Sequence, residues 1–218
     1  MKKLLGCFLC VMLLVFGVAP SAWTLSFDLS GVNFPSQISA TVDFDYNPST
    51  GNIGIDIENT SSITSSLTAF AFNVPDGVTG ASLSGPTGWS AYKIVSGTID
   101  KNAINTPGQF GFFDLAGITG PNFNGGNVAD GIPQGATFSF DFLLTGTGLG
   151  GLTTDSFLSL LSEPGPGQSN PQPFIARFQG IGPDDLSDVA VVPEPTTMAL
   201  LGFGLVGLAG FGRKRFKK

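Results

Sequence analysis

At 218 residues the chain has room for one sizeable domain once its two atypical ends are set aside. It has no histidine, and its two cysteines, Cys7 and Cys10, sit in an apolar leader. The rest of the chain is therefore excluded from Ser-His-Asp and Cys-His catalysis, disulfides, and the usual zinc and copper sites. Over residues 25–193 fifteen carboxylates face Lys93, Lys101 and Arg177, about twelve net negative charges, a balance that opposes nucleic acid and anionic lipid.

In the leader, Lys2 and Lys3 precede an apolar run at residues 4–18 and then the small residues Ala19, Pro20, Ser21 and Ala22. This is the three-part pattern of a secretory signal peptide, so residues 1–24 are assigned to a signal helix, with cleavage expected between Ser21 and Leu25. Leu4-Leu5-Gly6-Cys7 has some likeness to a lipoprotein box but precedes the apolar core instead of closing it, so lipidation is not expected.

From Leu25 onward short alternating stretches dominate. Leu25, Phe27 and Leu29 alternate, and Ile38, Ala40, Val42, Phe44 and Tyr46 do so more cleanly, with Thr41, Asp43 and Asp45 on the opposite face. Asn47-Pro48-Ser49-Thr50-Gly51-Asn52 is a turn by composition, and Ile53, Ile55 and Ile57 complete a β-hairpin. LTAFAFNV at residues 67–74 is apolar on both faces, as a central strand is. Further strands are expected at residues 89–99 and 109–118, followed by a glycine- and asparagine-rich loop at 119–135. Residues 137–145 then place Phe138, Phe140, Phe142 and Leu144 on one face.

Residues 154–162 (TDSFLSLLS) are the helical candidate, and Phe174, Ala176 and Phe178 mark an expected last strand. Residues 181–191 are acidic and read as a tether between domain and tail. Roughly nine strands with turn signals every dozen residues and no βαβ alternation predict a mainly β body at residues 25–180. The expected architecture is an antiparallel β-sandwich or jelly roll with a phenylalanine core.

The tail, residues 192–218, reads VPEPTTMALLGFGLVGLAGFGRKRFKK. Pro193 and Pro195 lack N–H groups and favour an extended, accessible strip. The fourteen apolar residues that follow cover about 21 Å of a hydrocarbon core of about 30 Å, a short transmembrane helix. The basic cluster Arg213, Lys214, Arg215, Lys217 and Lys218 acts as a stop signal. This order of Val192-Pro193-Glu194-Pro195, apolar segment and basic cluster resembles the PEP-CTERM sorting signal of exported bacterial proteins, which also occurs at the ends of some ice-binding proteins. The resemblance implies recognition by a membrane-embedded exosortase that removes the hydrophobic tail. It further implies export through the inner membrane, a transient single-pass anchor with the body outside the cytoplasm, and a final place at the cell surface or beyond. The NTSS, FNVP, TFSFDF and ARFQGI stretches are similar to β-rich bodies associated with such signals.

Candidate chemistry in the body is sparse. Glu58 and Glu163 are the glutamates between the termini, and a carboxylate-based hydrolase would need two acids facing one cleft. Asp43 opens a sequence like a calcium loop, but Pro48 and Gly54 occupy the positions that need glycine and glutamate, so it fails as an EF-hand. Calcium is better sought at Asn122, Asn124, Asn127 and Asp130, or at Asp184, Asp185 and Asp188. Trp89 and Tyr92, with Tyr46, are candidates for stacking on a sugar ring, the alternative being core and edge packing. Asn59-Thr60-Ser61 matches a glycosylation sequon. The expectation is a non-catalytic structural or adhesive domain without a cofactor, linked through the resemblance to exopolysaccharide and biofilm. A glycan- or calcium-binding module is the alternative. A hydrolase or an ice-binding protein ranks behind both, since the body lacks a regular Thr-x-Thr ladder.

Overall fold

The structure, a computed structural model, describes residues 24–193. The expected signal helix and the transmembrane helix lie outside the described residues. In chain order the strands are β1 (Leu25–Gly31), β2 (Ser39–Asn47), β3 (Asn52–Glu58), β4 (Ser66–Phe72), β5 (Val78–Ser84), β6 (Ser90–Tyr92), β7 (Ile94–Val95), β8 (Thr98–Ile99), β9 (Ile104–Asn105), β10 (Phe112–Phe113), β11 (Leu115–Ile118), β12 (Ile132–Pro133), β13 (Thr137–Gly146), β14 (Phe174–Ile181) and β15 (Leu186–Val191).

One antiparallel sheet runs β5-β13-β3-β2-β1-β15-β14-β4-β11-β6, with β12 also paired to β4. It rolls up until it is nearly closed into a barrel. The sandwich or jelly roll expected from the sequence is thus replaced by a single curled sheet. Both architectures produce the same period-two pattern, because in each every strand has one face towards an apolar interior. What distinguishes them is long-range pairing, such as Ser30 with Val191 and Phe140 with Ile55.

The interior is filled by the predicted alternating residues: Val42, Phe44 and Tyr46 from β2, Ile53, Ile55 and Ile57 from β3, and Phe140, Phe142 and Leu144 from β13. Phe70, Phe72 and Phe174 form its centre, with Phe174 stacked on both others at 5.8 and 6.2 Å between ring centroids. Each end has an aromatic stopper. Phe157 packs 4.9 Å from Tyr46 at the end where the β2–β3 turn lies, and Trp89 packs 4.7 Å from Phe140 at the other.

The β9–β10 ribbon and the loop after β11 lay a second apolar layer on the outside of the sheet, while Ile94 and Ile99 of the β7–β8 ribbon pack on the main core. Ile104, Phe110, Phe113 and Phe123 cover Ala69, Ala71, Ala116, Ile175 and Val189. That cover is why β4 is buried along its whole length on both faces, as LTAFAFNV requires.

Two further expectations are corrected. The predicted helix of residues 154–162 is reduced to α1 (Asp155–Leu158), enough to seat Phe157. The predicted tether of residues 181–191 is instead the end of β14, a tight turn and β15. β15 lies in mid-sheet between β1 and β14, so the body extends beyond residue 180 and β14 is not the last strand. The reason is Asp188. Its carboxylate is 1% exposed. It accepts hydrogen bonds from Asn33 N–H (3.1 Å), Asn33 Nδ2 (2.8 Å), Phe34 N–H (3.0 Å) and Val189 N–H (2.8 Å). Gly31 makes room for it, since a Cβ there would stand 2.6 Å from Asp188 Oδ2. An acid that reads as solvated in sequence is therefore the clamp joining the β1–β2 loop to the last strand.

Candidate functional site

The sequence-predicted site residues are placed as follows. Trp89 is half-buried, lies against Phe70 and Phe140, and donates from Nε1 to the Asp130 carbonyl at 2.8 Å. Tyr46 is 2% exposed and donates its hydroxyl to the Leu149 carbonyl at 2.9 Å. Tyr92 is half-buried beneath the ammonium of Lys93, which lies 5.4 Å from the ring centroid. The indole therefore serves as an end plug of the barrel. Trp89→Ala is expected to cost about 2–3 kcal/mol, below the range of about 3–5 kcal/mol for fully buried large aromatics because the ring is half-exposed, measurable by thermal unfolding of the full-length chain in detergent micelles.

The loop asparagines are engaged in turns. Asn122 Oδ1 accepts from the N–H groups of Asn124 and Gly125, both at 2.9 Å. Asn127 caps the 3₁₀ turn at Val128–Asp130 by accepting from Ala129 N–H, and its Nδ2 donates to Asp130 Oδ2 at 2.6 Å. Asp184 and Asp185 are exposed in the β14–β15 turn, whereas Asp188 is the buried clamp, so the second candidate set does not share one environment. Among the described residues no group of three or more Asp, Glu, His or Cys side chains has a metal-holding arrangement. Asn59 of the sequon is fully buried and donates to the Ser65 and Ile132 carbonyls, so its amide is closed to glycan attachment.

Sequence reading missed a carboxylate face. On the outside of β1, β2, β3 and β13, Asp43 stands directly opposite Asp56, while Asp45 and Asp141 flank Gly54 from either side. Asp28 and Glu58 extend the row through Thr41 between them. The alternation of Asp43 and Asp45 with Asp56 and Glu58 across the predicted hairpin was the available signal. Gly54 leaves space into which Asp45 folds, a Cβ there falling 2.5 Å from Asp45 Oδ1. Burial, then the charges of Asp56 and Asp141, raise the Asp45 pKa above its ordinary value. The folded state thus holds this proton more tightly than the unfolded chain. Stability is consequently lost as pH rises from the unfolded value through the raised one. Asp45→Asn is expected to raise the melting temperature at pH 7 and to leave it unchanged near pH 3.

Arg177 is the arginine of the body. Nη2 donates to Ser187 Oγ at 2.8 Å, and its buried Nε has no hydrogen-bond partner among the described residues. Burial lowers its pKa while Asp188 works in the opposite direction. A mostly apolar groove of about 510 Å³ opens at the Phe157 end of the barrel, between Leu25, Tyr46, Pro48, Leu152 and Asp155.

β15 runs antiparallel to β1, towards that end, and its pairing stops at Val191, opposite Ser30 near the far end of β1. Val192 is half-buried and packs on the main core, and Pro193 is exposed. A family model, the PEP-CTERM protein-sorting motif, matches residues 191–215. The chain carries a PEP-CTERM sorting signal. That signal indicates an exported protein sorted by an exosortase, with a membrane-anchored passage before cleavage. The PEP-CTERM match begins on the last residue of β15, so the address and the folded body abut without a spacer. No helix among the described residues is long and apolar enough to cross a membrane, and the basic cluster of the PEP-CTERM signal lies outside them. No curated protein and no solved structure matches the chain.

Proposed function

We propose that the barrel is a non-catalytic structural or adhesive body that the exosortase pathway delivers to the cell surface or the extracellular matrix, in an exopolysaccharide setting. The observation that carries this reading is the direct passage of β15 into the sorting motif. Residues 194–197 span at most about 14 Å when fully extended, so an anchored chain holds the barrel close to the bilayer until the tail is removed. Two further features support it. The interior is filled by phenylalanine side chains, and the carboxylates of β1, β2, β3 and β13 lie along an outer wall. An acidic, solvated wall suits a soluble cargo once the anchor is gone.

Mass spectrometry of the extracellular form tests the proposal. The expected product begins between Ser21 and Leu25 and lacks the apolar segment and the basic cluster. Retention of the full tail in exosortase-competent cells would overturn it.

A further inference from the structure

We propose that Pro193 and Pro195 form a ladder stop, which ends β15 at Val191. β1 has seven residues, but β15 pairs with Ser30 and Gly31 alone among them. Residues 25–29 have β2 on one side and no partner strand on the other among the described residues. This is an open edge at the place where the chain leaves β15, and a chain continuing straight on would zip along it.

The hydrogen-bonding parity is fixed by two bonds. Val32 N–H donates to the Val189 carbonyl at 2.9 Å, so odd-numbered positions of β15 turn their backbone groups towards β1. Gly31 N–H donates to the Ile38 carbonyl at 2.9 Å, so odd positions of β1 face β2 and even ones face β15. Continuing the Ser30–Val191 register places position 193 opposite Asp28 and position 195 opposite Ser26, the next two sites where β15 would donate to β1. Both residues are proline, and neither has a hydrogen to donate. Their spacing of two matches the strand period. A proline at 192 or 194 would leave the donors of 193 and 195 intact, because even positions face β14. With ordinary residues at 193 and 195, β15 would lengthen along β1 and bury the backbone that a processing enzyme must bind in extended form.

The availability of the strip to an exosortase rests on the function proposed above, while the ladder stop itself does not. Hydrogen exchange of the full-length chain in detergent micelles, read at the amides of Ser26 and Asp28, tests the stop. Phe27, which faces β2, is the internal reference. Both edge amides are expected to exchange freely in the wild type and at least tenfold more slowly in Pro193→Val/Pro195→Val. Equal exchange at Ser26 and Asp28 in the wild type and the double variant would overturn the stop. The sorting reading fails by a separate result, retention of the tail by wild-type chain in exosortase-competent cells, which leaves the exchange pattern as it is.

Discussion

Asp188→Ala is expected to destabilise the protein by about 3–5 kcal/mol, the range for removing one member of a buried, hydrogen-bonded charged group. The carboxylate accepts from four N–H groups on three residues, and alanine would take their shared acceptor from the Asn33 and Phe34 amides and from Val189 N–H beside the buried end of the strand. For a body of this size the loss corresponds to a fall in melting temperature of roughly 10 °C. Asp188→Asn keeps one acceptor oxygen but turns an NH₂ towards amide donors, so about half the loss is expected. Circular dichroism of the full-length chain in micelles reads both. A change of less than 1 kcal/mol in Asp188→Ala would show that the last strand is held by its ladder alone.

Phe174→Ala is expected to cost about 3–5 kcal/mol by the same measurement. Phe174 is fully buried, stacks on Phe70 and Phe72, and meets Phe27 edge-on at 5.5 Å. It thereby joins β14 to β4 and β1 across the barrel interior. Since β4 and β14 carry their neighbours tightly on both faces, little collapse into the vacated space is available. Leu143→Ala on the outside of β13, where the side chain is 50% exposed, serves as the comparison and is expected to change stability by no more than about 0.5 kcal/mol.

Strands with one wet face were legible in the sequence. Ile53, Ile55 and Ile57, and Phe138, Phe140, Phe142 and Leu144, announce their inner face by spacing alone, and the β2–β3 turn follows from Asn47, Pro48 and Gly51. β4 was also legible, because a strand covered on both sides must be apolar throughout. Closure of the sheet was not, since it depends on partners such as Ser30 and Val191 that local periodicity does not name. β15 was missed because Asp184, Asp185 and Asp188 look alike in sequence. Two sit in a solvated turn and the third is surrounded by donors on a loop 154 residues earlier. The sorting signal was legible in full, being a linear order of residues. The candidate ligand residues were not decided by type: Trp89 and Asn127 have side chains suited to sugars and cations, but here they plug a barrel end and cap a turn.

The mid-sheet position of β15 bears on when the protein can fold. Ser30 of β1 reaches its flanking strand in the sheet only through Val191, 161 positions further on, where the sorting-motif match begins. Contacts of such separation carry a large loop-closure cost and form late. A chain emerging amino end first can assemble the β2–β3 hairpin early, but it cannot complete its sheet until the residues next to the anchor have crossed the membrane. Translocation therefore proceeds on an unfinished, threadable polypeptide, and the moment at which the anchor arrests it is the moment at which the final strand becomes available.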